Sequence, residues 1–77
     1  MIEVARKMIL DLLTQGAAFS ALVTDEMHPR EGEKIATHVS GYLAAAQALL
    51  ASHVELHNEM IDHPGFVALR RFARKYR

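Results

Sequence analysis

Cysteine and tryptophan are both absent from this chain of 77 residues, and only two prolines, three phenylalanines and two tyrosines are present. The lack of cysteine excludes disulfide bonds and thiolate metal ligands. A chain of this length buries only about 60% of the surface that its unfolded form exposes, so it is near the lower limit for folding alone. Oligomerisation, very regular helix packing or a histidine–carboxylate metal site remain as ways to stabilise it.

Runs of β-branched residues are also missing, whereas 12 residues are alanine. Alanine favours close-packed helices, and β-branched residues favour strands. We therefore predict an all-α protein with a single domain over residues 1–77. We expect a helical hairpin of two long amphipathic helices, followed by a short basic C-terminal helix.

The longest helical pattern covers residues 29–62, and Pro29 suits the first turn of such a helix. Apolar positions in it alternate steps of four and three residues, which keeps one face toward a partner helix, as in a coiled coil. This spacing predicts that two copies pair through their long helices into an antiparallel homodimer of four-helix type. The predicted seam consists of Ile35, Val39, Tyr42, Ala46, Leu49, His53, Leu56 and Met60.

A first helix is predicted over residues 2–24, because its apolar residues repeat at the same spacing. Gly16 lies on this stripe. Glycine inside a helix costs about 1 kcal/mol relative to alanine, so close approach of another helix at Gly16 would compensate for it.

A third helix is predicted over residues 64–76. Pro64 cannot continue the long helix, and Asp62 or His63 can cap the next one. We expect this short helix to fold back over the far end of the long one.

Small side chains occupy the back of the long helix, where a solvated face would normally carry charge. One interpretation is that a second helix packs closely there and makes the long helix the centre of a dimeric bundle. The other is that alanine simply favours helix formation at exposed sites. The small residues are Gly41, Ala44, Ala45, Ala48, Ala51 and Ser52.

Charge is distributed unevenly, although the formal net charge is zero. Residues 1–63 contain nine acidic and four basic residues, whereas residues 64–77 contain five basic residues and no acidic one. Such an asymmetry indicates an anionic partner, with Phe72 and Tyr76 available for stacking, but cations also favour a helix C-terminus. The candidate contacts are Arg70, Arg71, Arg74, Lys75 and Arg77.

His53 and His57 are four residues apart, so one helix face could bring both to a metal ion. Two histidines are half of a usual zinc site, and Glu59, Asp62, His63 or a second copy would have to complete it. The alternatives are hydrogen-bonded seam residues or a pH-sensitive interface. We predict that no metal and no cofactor is bound.

Catalytic patterns are missing from the sequence. None of Ser20, Ser40 and Ser52 lies in a glycine-flanked elbow, and no glycine-rich phosphate loop is present. Glu55 and Glu59 form a carboxylate pair on the predicted outer side, which is typical of a solvated helix. We therefore expect no enzyme activity and no catalytic residue.

The first residues do not resemble a signal peptide, because Glu3, Arg6, Lys7 and Asp11 interrupt the apolar positions. Residues 35–54 lack charged side chains, but their hydrophobicity is one-sided, so we do not predict a membrane span. We expect a cytoplasmic protein.

Long apolar seams without a catalytic pattern predict a small protein-interaction module: a regulator, adaptor or inhibitor that self-associates through its long helices. A nucleic-acid-binding regulator that uses the basic C-terminal helix is one alternative. A histidine-based metal-binding bundle is another. The predicted partner-binding residues are Tyr42, Leu49, His53, Leu56 and Met60.

Overall fold

A computed structural model describes residues 2–76, which form four α-helices. No strand is present in the described residues, so the prediction of an all-α protein is confirmed. Within that same range, no helix combines the length and the apolar character needed to cross a membrane. The helices are α1 (Ile2–Ser20), α2 (Pro29–Ser52), α3 (Val54–Met60) and α4 (Pro64–Lys75).

The first two helices, α1 and α2, pack along each other in opposite directions. Phe19, near the end of α1, stacks on His38 in the first half of α2, with their ring centroids 5.5 Å apart. Arg6, near the start of α1, bonds to Glu59 of α3, which follows α2 in the chain. The last helix, α4, packs against both α1 and α2.

The position of α4 differs from the sequence-based prediction. Gly65 in its first turn lies against Leu13, and Tyr76 just beyond its last turn lies beside Gly32 at the start of α2. It therefore covers the half of the bundle nearest the connection between α1 and α2, and the prediction that it covers the far end of the long helix is wrong. That far end is covered by α3, both of whose apolar side chains on the inner face are buried.

A single apolar core joins all four helices. Among the described residues, no polar or charged residue is buried, and no buried side-chain nitrogen or oxygen lacks a hydrogen-bond partner. Full burial of a large apolar side chain contributes roughly 1.5–3 kcal/mol, so this core is the main source of stability. Its largest fully buried side chains are Phe66, Ile9, Leu56, Leu69 and Val39.

The predicted helix over residues 29–62 is interrupted at His53, whose φ of −130° and ψ of 80° are not helical. Buried positions of α2 follow a strict spacing of four and three residues. Continued past Leu50, that spacing would bring His53 and His57 into the core, where unpaired polar groups are costly. The break buries Leu56 and Met60 in their place. The buried positions of α2 are Gly32, Ala36, Val39, Leu43, Ala46 and Leu50.

The predicted seam of the long helix coincides only in part with the buried face. Four of its eight residues are buried, namely Val39, Ala46, Leu56 and Met60. Ile35, Tyr42 and Leu49 are only half-buried, and in each case the next residue along the chain is buried instead. The buried face of α2 points between its two neighbours, α1 and α4, rather than at one partner helix. The molecule is 42 Å long. A straight 33-residue helix would be longer, at roughly 50 Å.

The end of α1 is at Ser20, four residues earlier than predicted. The amides of Leu22 and Val23 bond to carbonyl groups only three residues back, which tightens the last turn. Leu22 is 56% exposed, so no core contact extends the helix. The predicted third helix agrees with α4 to within one residue at its end.

An ion pair ties α3 to the start of α1. Arg6 donates from Nε to Oε2 of Glu59 at 2.7 Å and from Nη2 to Oε1 of the same residue at 3.1 Å. Its Nη1 atom also donates to Glu3 at 2.8 Å. The bidentate bond from Arg6 holds the pKa of the Glu59 carboxyl below its ordinary value of 4.5.

Glu59→Gln is expected to lower the stability of the protein at neutral pH and to flatten its loss of stability in acid. Because the pKa of Glu59 is lowered by folding, the ion pair stabilises the fold above pH 4.5 and is lost as the pH falls through the lowered value. Urea unfolding at about pH 7 and about pH 3 measures both effects. Glu55→Gln removes another exposed carboxylate of α3 and is the control, and an identical pH dependence in the two variants would contradict the prediction.

Candidate interaction surface

A groove of about 520 Å³ lies between α2 and α4. Ala73 and Tyr76 form the wall on the α4 side. A smaller hollow of about 160 Å³ continues the groove and shares Leu43, Gln47 and Ala73 with it. Small and polar residues dominate the α2 wall, which consists of Glu33, Ala36, Thr37, Ser40, Leu43, Ala44 and Gln47.

Next to the groove, the back of α2 exposes small residues at spacings of four and three. Gly41 lies in the middle of them, and a Cβ atom added there would meet nothing within 4 Å. Gly16 and Gly32, by contrast, each lie against residues of the α4 segment. Gly41 therefore lowers the helix propensity of α2 by about 1 kcal/mol, and no contact within residues 2–76 compensates for it. The exposed residues of this stripe are Thr37, Gly41, Ala44, Ala48 and Ala51.

The two ends of the groove carry opposite charges. Glu33 lies at the end formed by the start of α2, where Tyr76 is also found. Arg70 and Arg74 lie at the other end, beside Gln47. A groove that is acidic at one end and basic at the other is complementary to a second copy of itself turned end over end.

The predicted partner-binding residues do not form one accessible surface. Leu56 is 0% exposed and Met60 is 3% exposed, so the chain's own core encloses both while the helices keep this packing. Tyr42, Leu49 and His53 are half-buried. The Tyr42 ring packs 5.6 Å from the ring of Phe19. The accessible part of α2 is therefore its small-residue back rather than the predicted seam.

His53 and His57 do not share a helix face, because the helix is interrupted at His53 and this residue lies outside α3. The ring of His53 is half-buried, with Nδ1 4.0 Å from Oε1 of Glu55, whereas His57 is exposed. No group of three or more histidine, aspartate or glutamate residues placed to hold a metal ion occurs within residues 2–76. A metal site at these histidines would therefore need ligands from a second copy.

Part of the basic C-terminal segment is engaged in the fold. Arg70 donates from Nη2 to the carbonyl oxygen of Ile61 at 2.9 Å, and its guanidinium lies 5.8 Å from the centre of the Phe66 ring. The Phe72 and Tyr76 rings pack on each other, with their centroids 5.1 Å apart. Binding of an anionic partner stays a prediction for the exposed residues Arg71, Arg74 and Lys75, and Arg77 lies outside the described residues.

The sequence pointed to the small residues of α2 but not to the groove beside them. Thr37, Ser40 and Gln47 were not recognised as site residues, although all three lie on the same side of the helix as the small residues. The signal available in the sequence is that these three side chains are polar but uncharged, on a helix face next to the small residues. The second wall depends on where α4 packs, and no pattern within α2 carries that information.

None of the protein-family models, curated proteins or solved structures with which the chain was compared matches it.

Proposed function

We propose that this chain is a small non-enzymatic protein-interaction module that self-associates through the exposed back of α2. The observation that carries the proposal is Gly41, a glycine in the middle of a helix where an added Cβ atom would touch none of the described residues. Small side chains on facing helices allow a short distance between the helix axes. A second copy packed at Gly41 would supply the contact that compensates for the glycine.

Charge complementarity favours an antiparallel pairing. A two-fold axis near Gly41 and Ala44 sets the small-residue stripe of one copy against the stripe of the other. The same axis brings the Glu33 end of each groove toward the Arg70 and Arg74 end of the partner copy. An isologous contact of this kind uses the same patch on both subunits and closes after two copies.

This dimer places two α2 helices at its centre and the α1 and α4 helices outside them. The helical hairpin of α1 and α2 then forms half of a four-helix-type core, as the sequence suggested, but through the opposite face of the long helix. The main apolar face of α2 remains covered by α1 and α4 of the same chain. Each copy therefore keeps its fold whether or not it is paired.

Ala44→Glu is expected to convert the dimer into a monomer. The substitution buries a charge at the centre of the pair and should weaken association by at least about a hundredfold, or roughly 3 kcal/mol. In a single copy Ala44 is exposed, so the helical content should not change. Light scattering after size exclusion measures the mass, which for the unmodified dimer is twice the 8.6 kDa of the chain.

Ala18→Glu is the matched control, because it places the same charge at an exposed alanine of α1, and this variant should remain dimeric. A wild-type protein that stays monomeric at its highest soluble concentration would overturn the proposal.

The direction of pairing is tested by the same light-scattering measurement. Glu33→Arg and Arg74→Glu should each weaken the dimer, and the double variant should recover it; a double variant weaker than both would exclude the antiparallel arrangement.

A further inference from the structure

The helices α2 and α4 begin with the same unusual turn. His28 and His63 each precede a proline, and their backbone angles are nearly identical, with φ of −60° and ψ of 137° at His28 and φ of −57° and ψ of 134° at His63. Nδ1 of His28 accepts a hydrogen bond from the backbone N–H of Arg30 at 3.1 Å. Nδ1 of His63 accepts one from the N–H of Gly65 at 3.0 Å. Both imidazole rings therefore act as N-caps, a role usually taken by serine, threonine, aspartate or asparagine.

An imidazole cap differs from the usual caps in its response to acid. The Nδ1 atom accepts a hydrogen bond only while it carries no proton, so the geometry assigns the ring proton of both histidines to Nε2. A proton on Nδ1 would point a donor at the backbone donor of Arg30 or Gly65. It would also place a positive charge at the helix N-terminus, where the helix dipole is already positive.

No carboxylate of the described residues forms an ion pair with the ring of His63. Asp62 precedes His63 in the chain, and Leu13 of α1 is an apolar residue that lies against Gly65. On α4, the guanidinium of Arg70 is engaged with the carbonyl oxygen of Ile61.

His28 is exposed, whereas His63 is half-buried. In the described part of the chain, no ion pair includes the ring of His28. The first turn of α2 contributes Glu31, next to the capped Arg30, and the residue that follows α4 contributes the Tyr76 hydroxyl near Gly32. The preceding loop contains two further carboxylates, Asp25 and Glu26, and neither forms an ion pair with the ring.

We propose that these two histidine caps form an acid-sensitive device that releases the starts of α2 and α4 when their rings take up protons. Each capping hydrogen bond requires an unprotonated Nδ1, and the unfolded chain has no such bond to lose, so protonation of the rings lowers the stability of the fold. The effect on α4 reaches the core directly, because Phe66, next to the capped Gly65, is 0% exposed. The device operates in a single copy and does not depend on self-association.

The double variant His28→Asn, His63→Asn tests the device, because asparagine caps helices well and does not titrate. Between about pH 7.5 and about pH 5, the folding equilibrium constant of the wild type should fall about 25-fold, or fivefold per cap, since caps at separate sites add. The folding equilibrium constant of the double variant should fall only slightly over this pH range. His57→Asn, at an exposed histidine that caps nothing, should keep the wild-type pH profile. A double variant that loses as much stability as the wild type would overturn the proposal.

Nuclear magnetic resonance of the wild-type protein gives a second test that requires no variant to fold. At neutral pH the ¹⁵N shifts of His28 and His63 should report a proton on Nε2 and none on Nδ1. The amide protons of Arg30 and Gly65 should then shift with pH in step with the rings. His53 is the internal control, because it precedes α3 without a side-chain capping bond. A proton on Nδ1 of either capping ring at neutral pH would rule the device out.

Discussion

Alanine in place of Phe66 is expected to lower the free energy of unfolding by about 3–5 kcal/mol. Phe66 is the largest of the fully buried side chains, at 0% exposure, and it fixes the first half of α4 in the core. The total stability of a 77-residue chain is roughly 4–12 kcal/mol. The variant should therefore lose a large part of its stability. This loss comes from the core and not from helix propensity, since alanine is the best helix former.

Phe72→Ala is the matched control for this prediction, because Phe72 is on the same helix but only half-buried. Its ring packs on Tyr76 at the edge of the bundle, so its removal should cost less than half as much. Urea unfolding followed by far-ultraviolet circular dichroism measures both variants. Equal losses would contradict the prediction, because they would mean that the end of α4 holds this helix in place as strongly as its beginning.

The all-α class, the start of α4 at Pro64 and the close approach at Gly16 could all be predicted from the sequence. Each depends on local chemistry: alanine content, a proline that cannot continue a helix, and a glycine on an apolar stripe. Gly16 is a direct example, because a Cβ atom there would lie 2.6 Å from Cδ1 of Leu69. These features need no knowledge of which helices are neighbours.

The break at His53 could not be predicted in the same way. The long helix contains pairs of adjacent apolar residues, such as Tyr42 with Leu43 and Leu49 with Leu50, so two seams one residue apart fit its pattern. Beyond residue 52, one seam continues with His53, Leu56 and Met60, and the other would continue with His53 and His57. The structure uses the second seam as far as Leu50, because two helices, α1 and α4, pack on α2 and the face between them becomes the core. After the break at His53 it buries Leu56 and Met60 of the first seam.

The groove could not be predicted for the same reason as the break, because both depend on where α4 packs. Its α2 wall could be read in part from the small residues around Gly41, but its other wall is α4, which follows α2 only after α3 and two turns. The place where α4 packs depends on contacts between residues far apart in the chain, above all Leu69 with Gly16. Periodicity within one helix does not encode such contacts.

Gly16→Leu is the second substitution for which a large loss is expected, about 3 kcal/mol. Its Cβ atom alone would lie 2.6 Å from Cδ1 and 3.3 Å from Cδ2 of Leu69. Leu69 is 1% exposed, so the added leucine would have to displace the Leu69 side chain within the core or move α4 away from α1. The better helix propensity of leucine, worth somewhat less than 1 kcal/mol relative to glycine, offsets only a minor part of this strain.

Gly41→Leu makes the same chemical change on α2, where the added Cβ atom meets nothing within 4 Å among residues 2–76. In dilute solution, where single copies predominate, this control should be as stable as the wild type or slightly more stable, because only the gain in helix propensity remains. Thermal unfolding of the two variants side by side therefore separates the packing effect from the propensity effect. If Gly16→Leu proved as stable as Gly41→Leu, α4 would not lie against α1 at Gly16, and the apolar face of α2 that α4 covers would be open to a partner instead.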